Sequence, residues 1–186
     1  MSTPPQPSAE HAIAATRAWV DKAVIGVNLC PFAKAVQVKG QIRYVASPAT
    51  TPEELAEELA RELLLLQSAA PDEIDTTLLI HPGVLADFYD YNDFLGLADA
   101  ILVDLDLEGV LQIASFHPDY QFADAAPDAI ENYTNRSPFP TLHLLRESSL
   151  DAAVAAFPEA AAIFEKNMET MRRLGLAGWN ALKENK

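Results

Sequence analysis

Apolar residues recur along this chain with two alternating periods, one typical of helices and one typical of strands. The first helical stretch begins near Ser8, which is a residue type favoured at an N-cap, and continues to about Val27. The pattern allows a second short helical segment beyond Cys30 and Pro31. Alternating runs rich in β-branched and aromatic residues predict four strands, at 41–46, 76–80, 110–116 and 141–146.

The clearest predicted helix begins at Thr51. Thr51 suits the N-cap, Pro52 takes the first helical position, and Glu54 stands three residues past the cap, as a capping box requires. The helix then carries one apolar stripe, formed by Leu55, Leu59, Leu63 and Leu66.

Three further helices follow from the same periodicity. One spans about residues 85–107, with a break expected near Gly96, and one begins near Leu150 after Ser148 or Ser149. The last begins at Pro158 and has Gly175 as its stop signal. The resulting order of elements is α-β-α-β-α-β-loop-β-α-α.

Strands that alternate with helices predict an α/β (or α+β) two-layer sandwich. We expect a mixed sheet of about four strands, helices packed on it, and a helical C-terminal segment. The division along the chain is a flexible arm at 1–7, a single globular domain at 8–178, and a tail at 179–186. A chain of 186 residues, 49% of them hydrophobic, is long enough for one buried core.

The net charge of the chain limits the kinds of molecule that it is expected to bind. The formal net charge of −14 argues against sequence-independent binding to nucleic acids or anionic membranes, because both need an excess of Lys and Arg. The densest apolar run, 63–66, is far shorter than a membrane span, and the first residues lack the features of a secretory leader. With a single cysteine no internal disulfide can form. We therefore expect a cytoplasmic protein, of an oligomeric state that these observations leave open.

The candidate chemistry concentrates in residues 115–146, where two predicted strands flank a long loop rich in His, Asp, Asn, Tyr, Arg and Pro. Such long loops in compact domains usually bind ligands or cover sites. His81 and His117 each follow a strand, so parallel strands would bring both imidazoles to one edge of the sheet, where open α/β sheets bind ligands. An antiparallel fourth strand would add Asp119, Asn132 and Arg136 to the same edge.

These residue types predict binding of an anionic or polar small molecule. Arg136 offers a rigid fork of donors to a carboxylate or phosphate, while Asn132, Tyr133 and Asn135 can orient the ligand. His117 is the acid/base candidate, with Asp119 to orient it. The alternative is structural, because His-Pro often forms a turn and Asn-rich loops bond to their own backbone.

Cys30 permits three interpretations. Pro31 at a first helical position would place the thiol at a helix N-terminus, where a lowered pKa would make it a nucleophile or a redox group. A Cys-Pro pair could instead ligate a metal or haem, and a lone Cys among apolar neighbours is also an ordinary buried residue. We predict no metal site, because closely spaced donor pairs are missing, and leave the cofactor undetermined. His143, within a strand, either faces the site or lies on the packed face.

Several motifs together resemble an uncharacterised bacterial family, the domain of unknown function 1415. They are Trp19-Val20-Asp21, 28–33 (NLCPFA), His117-Pro118 and 132–138 (NYTNRSP). The resemblance covers about residues 11–178 and implies no reaction, cofactor or catalytic residue.

Three hypotheses follow from the residues. The first is a small cytoplasmic enzyme that acts on an anionic or polar molecule at the carboxyl edge of the sheet. The second is a non-catalytic module that binds a protein or cofactor through loop aromatics, and the third is a redox sensor based on Cys30.

Overall fold

The computed structural model describes residues 7–157 and 162–184, in which four strands form one mixed sheet. The spatial order is β1-β2-β4-β3; β1 and β2 are parallel, and β4 is antiparallel to both β2 and β3. The strands are β1 (Ile42–Ala46), β2 (Thr76–Ile80), β3 (Leu111–Phe116) and β4 (Thr141–Arg146).

Helices connect and cover these strands. The described α-helices are α1 (Ala9–Trp19), α2 (Ala33–Val38), α3 (Pro52–Ser68), α4 (Phe88–Asp104), α5 (Glu147–Ala156) and α6 (Ile163–Glu184). A π-helical segment, Val20–Ile25, continues α1, and a 3₁₀ segment, Ile130–Asn135, lies within the long loop. Among the described residues, no helix combines the length and apolar character needed to cross a membrane.

The predicted mixed sheet with packed helices and a helical C-terminal segment is confirmed. The break expected near Gly96 is wrong, because α4 is continuous through that residue. Gly175 does interrupt α6, with a φ of 64°, but the helix resumes and passes through the predicted tail boundary at 178/179. Residues 1–6 of the predicted arm and the helix start at 158 lie outside the described residues.

One face of the sheet packs against α3 and α4 and is rich in leucine. Alternation along the strands points Leu79, Leu142 and Leu144 to this face, where they meet the apolar stripe of α3. Thr51 caps α3 as predicted, because its side chain accepts a hydrogen bond from the backbone N–H of Glu54. We call this the leucine face.

The opposite face is covered by α1, the π segment and α6, so the sheet lies between two layers of helices, one layer more than the predicted two-layer sandwich has. Its core contains Trp19, Val20, Leu78, Met171 and Trp179, all buried. We call this the tryptophan face. Because successive residues of a strand point to opposite faces, the two cores share the same four strands.

The strand directions bring the ends of two strands and the start of a third to one edge of the sheet. β2 and β3 end there, while β4 begins there. His81 directly follows β2, and His117 directly follows β3. The long loop that joins β3 to β4 therefore begins and ends at this same edge. The topological condition for gathering the predicted residues is therefore met.

Candidate functional site

A cleft of about 550 Å³ opens on the tryptophan face where the long loop meets α1, the π segment and α6. The loop contributes Asp119, Tyr133 and Arg136, all of them predicted site residues. The other walls come from segments that the prediction had not connected with the loop. They contribute Ala15, Ala18, Trp19, Lys22, Ala23, Trp179 and Leu182. We call this space the Arg136 cleft.

Arg136 is held rigidly at the wall of this cleft. Its Nε donates a hydrogen bond to the carbonyl of Tyr120 at 3.1 Å, and its Nη2 donates to the carbonyl of Pro127 at 2.8 Å. The guanidinium carbon also lies 4.3 Å from the ring centre of Tyr133, in a cation–π contact. Tyr133 in turn meets Trp179 edge to face, with ring centres 5.6 Å apart.

The charge of the cleft is opposite to that of the whole chain. Two cationic side chains, Lys22 and Arg136, and one carboxylate, Asp119, line it. The chain as a whole has a net charge of −14. A locally positive cleft in an acidic protein favours anions that approach it.

The two indoles at the wall of the cleft have N–H groups without a partner in the described part of the chain. The Nε1 atoms of Trp19 and Trp179 are buried and have no hydrogen-bond acceptor among the described residues. A buried donor without an acceptor costs free energy, and buried Trp side chains usually find one.

Asn132 organises the loop. It is fully buried; its Oδ1 accepts from the backbone N–H of Phe122 at 3.0 Å, and its Nδ2 donates to the carbonyl of Ala126 at 2.8 Å. Asn135 similarly donates to the carbonyl of Ser115 and so ties the loop to β3. Both amides bond to backbone in this conformation, and ligand binding by them stays a prediction.

His81 and His117 do come together, as a buried aromatic cluster around Tyr91. The ring of Tyr91 lies 5.7 Å from that of His81 and 5.1 Å from that of His117, centre to centre. The Tyr91 hydroxyl donates to the carbonyl of Thr141 and accepts from the N–H of Phe116. The cluster thus joins the end of β3 to the start of β4.

The hydrogen bonds of His117 determine its tautomer. Nδ1 accepts from the backbone N–H of Asp119 at 3.0 Å, so the ring proton is on Nε2, which donates to the carbonyl of Leu85 at 3.1 Å. Burial lowers the pKa of His117, which keeps the ring neutral at physiological pH. The expected orienting contact from Asp119 is made by its backbone N–H rather than by its carboxylate.

Neither imidazole is open to solvent. His81 and His117 both have 0% relative exposure. His81 Nδ1 donates to the carbonyl of Val84, and burial lowers its pKa to about 4. The predicted residues therefore separate into an accessible group in the Arg136 cleft and an enclosed histidine cluster. An acid/base role for His117 stays a prediction.

Cys30 lies away from both groups, beside a second cavity on the tryptophan face. Burial raises the pKa of its thiol, although hydrogen bonds from the backbone N–H groups of Phe32 and Ala33 partly oppose this effect. The lowered pKa that a nucleophile would need is not found. α2 begins only at Ala33, so the thiol is not at its first residue.

The loop aromatics Tyr120, Phe122 and Phe139 pack against other rings. Tyr120 packs edge to face with Phe122 and with Phe88, and Phe139 packs with His11. Each is only partly accessible. The row of rings continues from Phe88 to Tyr89 and from Phe122 to Phe164, and both end rings are exposed, so the protein-binding hypothesis stays a prediction.

The prediction missed the helical half of the cleft. Trp19 and Lys22 stand three residues apart, which places both on one side of a helical segment, and this spacing was a usable signal. Nothing local to Trp179 indicates that it meets Tyr133, because that contact depends on how α6 returns to the sheet.

Three observations bear on identity. Within residues 7–157 and 162–184, no three His, Cys, Asp or Glu side chains cluster as metal ligands would. No curated protein and no solved structure gives a significant match. A family model does match over residues 11–181, which include the cleft loop, the π segment and Trp179. The chain therefore belongs to the family described as "Protein of unknown function (DUF1415)".

Proposed function

We propose that the protein binds a small anionic molecule with a flat or apolar body in the Arg136 cleft. The observation that carries this proposal is the rigidly held guanidinium of Arg136 on the wall of a cleft that is locally cationic in an acidic chain. The cleft volume of about 550 Å³ is within the range of small-molecule sites.

The guanidinium has donors to spare. It carries five N–H groups, and the two bonds to the carbonyls of Tyr120 and Pro127 use two of them, leaving three. Because those two bonds and the Tyr133 ring fix its plane, little side-chain entropy remains to be lost on binding. A carboxylate or phosphate is the natural complement of the remaining donors.

The body of the ligand would meet aromatic walls. Tyr133, Trp19 and Trp179 line the same space as Arg136, so a ring or short apolar chain attached to the anion can be buried. Asp119 is the carboxylate on the wall and disfavours a second negative group at its side of the cleft. A molecule with one concentrated anionic group fits this lining better than a polyanion.

The test uses phenyl phosphate and benzoate as probes. Both tryptophans of the chain line the cleft, so their fluorescence reports binding, and calorimetry gives the dissociation constant. We expect Arg136→Gln to weaken binding by roughly 10- to 100-fold, as for loss of a hydrogen-bonded ion pair. Arg61→Gln, on an exposed side chain of α3, is the matched control and should leave binding unchanged.

A second variant, with the opposite expected effect on affinity, separates an electrostatic effect from a folding defect. Asp119→Asn removes a negative charge from the cleft and should strengthen anion binding by about two- to fivefold. Equal affinity for phenyl phosphate in the wild type, Arg136→Gln and Asp119→Asn would refute the proposal. Weaker binding in both variants would indicate a disturbed loop rather than an electrostatic site.

A further inference from the structure

The second cavity of the tryptophan face has different chemistry from the Arg136 cleft. It measures about 240 Å³ and lies between the sheet, the π segment and α5. Most of its wall is apolar or aromatic, including Trp19, Val24, Ile42, Leu78 and Phe116. We call it the Cys30 cavity, after the thiol that lines it.

The charged side chains at its margin are already engaged. Asp75 accepts a hydrogen bond from the Ser149 hydroxyl at 2.6 Å. Arg146 donates to the backbone carbonyls of Leu66, Ala69 and Ile74. Because Arg146 is buried and pointed at these carbonyls, it anchors the chain before α5 rather than attracting an anion.

His143 gives this apolar cavity one directed polar atom. The Thr76 hydroxyl donates to the carbonyl of Leu144 at 2.6 Å, so its oxygen must accept from His143 Nε2–H, at 2.7 Å. The proton is therefore on Nε2 and the lone pair on Nδ1. Nδ1 has no hydrogen-bond partner among the described residues.

Apart from the charged Asp75 and Arg146 at the margin, the titratable groups of the described cavity wall, His143 and Cys30, are neutral near pH 7. Burial lowers the pKa of His143 to about 4 and raises the pKa of the Cys30 thiol. Beside these two groups the wall is largely apolar, and His143 Nδ1 offers a neutral acceptor there. A charged ligand would lose its hydration, while Asp75 and Arg146 at the margin are already hydrogen-bonded.

We propose that the Cys30 cavity binds a neutral aromatic molecule of one ring or two fused rings that carries a single O–H or N–H donor for His143 Nδ1. The size is suitable, since a dry cavity of about 150 Å³ already takes benzene. Trp19 and Phe116, whose rings meet edge to face at 5.1 Å, supply aromatic contacts. Trp19 lines both this cavity and the Arg136 cleft, but the proposal does not require an anion in that cleft.

Phenol and toluene are the probes, because they have nearly the same shape and differ in the donor. Ligand-observed NMR gives both affinities for the wild-type chain. We expect phenol to bind about 5- to 10-fold more tightly, the value of one well-made hydrogen bond. His143→Phe keeps a ring in place but removes the acceptor, and should abolish that preference.

Alkylation of Cys30 tests independently whether phenol binds in this cavity. It is the single cysteine, so the rate of its alkylation by iodoacetamide at pH 9 reports on this cavity alone. Saturating phenol should slow the reaction several-fold in the wild type. Ala153→Phe, on the α5 wall of the cavity, should slow the reaction without phenol and remove the protection by phenol.

Three results would overturn the inference. They are binding of neither probe, a phenol preference that persists in His143→Phe, and phenol binding that leaves Cys30 alkylation unchanged. The last result would mean that phenol binds elsewhere. The outcome of the anion-binding test with Arg136→Gln does not change the interpretation of these three results.

Discussion

The two faces of the sheet differ in composition although the same four strands form both. The leucine face consists mainly of aliphatic side chains, and Leu55, Leu59, Leu63, Leu79 and Leu142 have no exposed surface. The tryptophan face is bordered by both the Arg136 cleft and the Cys30 cavity. Buried side-chain atoms without a hydrogen-bond partner among the described residues occur on both faces, including the indole nitrogens of Trp19 and Trp179 on the tryptophan face and Thr77 Oγ1 and His81 Nε2 on the leucine face.

The difference indicates that the leucine face mainly stabilises the fold, whereas the tryptophan face has room for ligands. Close packing of aliphatic side chains raises the free energy of unfolding, whereas unfilled volume lowers it. Such deficits are expected where a ligand completes the structure. The π segment strengthens this view, because π-helical turns are rare and frequent at functional sites, and this one borders both spaces through Lys22 and Val24.

The strongest test of this comparison replaces two neighbouring leucines of β2. Leu79 faces the leucine core and Leu78 faces the tryptophan core, and both are buried. We expect Leu79→Ala to lower the free energy of unfolding by about 3–5 kcal/mol and Leu78→Ala by about 2–3 kcal/mol, because Leu78 lines a cavity and has fewer contacts to lose. Urea denaturation of both variants measures the difference.

Equal losses in the two variants would break the comparison, since both faces would then be packed alike. Phenol should stabilise the wild type by mass action in the same experiment if it fills the cavity. Ile74, at the margin of the leucine core, offers a control position where Ile→Val should cost about 1 kcal/mol.

Local sequence signals predicted the leucine face well. Thr51 and Pro52 define the start of α3, and the spacing from Leu55 to Leu66 defines its buried side, because caps and periodicity act within one helix. The gathering of His81 and His117 at one edge was also predictable, since it follows from strand direction alone.

The tryptophan face was harder to predict because its contacts join distant segments. Tyr133 meets Trp179 only through the return of α6, and nothing in the sequence of 20–25 marks a π rather than an α segment. The sequence also cannot show that Asn132 bonds to the loop backbone instead of to a ligand, because both uses need the same amide.

Acid titration sharpens the comparison through two histidines, His81 and His143. His81 contacts Tyr91 of the leucine core, whereas His143 lines the Cys30 cavity, and burial lowers the pKa of each to about 4. The unfolded chain, with histidine pKa values near 6.5, binds more protons than the folded one between about pH 6.5 and 4. Stability should therefore fall as pH falls through this window.

Each histidine should contribute up to about 1.4 kcal/mol of lost stability per pH unit in that window. We expect His81→Phe and His143→Phe each to reduce the proton uptake on unfolding at pH 5 by about one proton, measured from the pH dependence of urea denaturation. If only His81→Phe does so, water enters the Cys30 cavity and His143 titrates normally.

Thiol reactivity tests whether the tryptophan face hides a redox group. Because burial raises the pKa of Cys30, we expect iodoacetamide to react with the folded protein at pH 7 at least about tenfold more slowly than with the protein in urea. Mass spectrometry of timed samples gives both rates. Rapid alkylation of the folded chain below pH 7 would instead support the redox-sensor hypothesis.

The smallest expected effect is a difference in coupling free energy between two ion pairs, one on each face. Arg43 pairs with Glu62 of α3 through two hydrogen bonds, of 2.8 and 3.0 Å, and Glu62 is nearly buried. Arg172 of α6 pairs with Glu131 of the 3₁₀ segment, but the Arg172 side chain is 61% exposed. Bidentate, partly desolvated pairs couple more strongly than exposed ones.

Double-mutant cycles with Arg→Met and Glu→Gln should give a coupling free energy of about 1–2 kcal/mol for Arg43–Glu62 and below about 0.5 kcal/mol for Arg172–Glu131. At 1 M NaCl the second value should approach zero while most of the first remains, because salt screens exposed charges more than buried ones. A larger coupling for Arg172–Glu131 would mean that this pair fixes the loop that carries Arg136. The cleft would then depend on α6 for its shape, and Glu131→Gln would weaken phenyl phosphate binding as well.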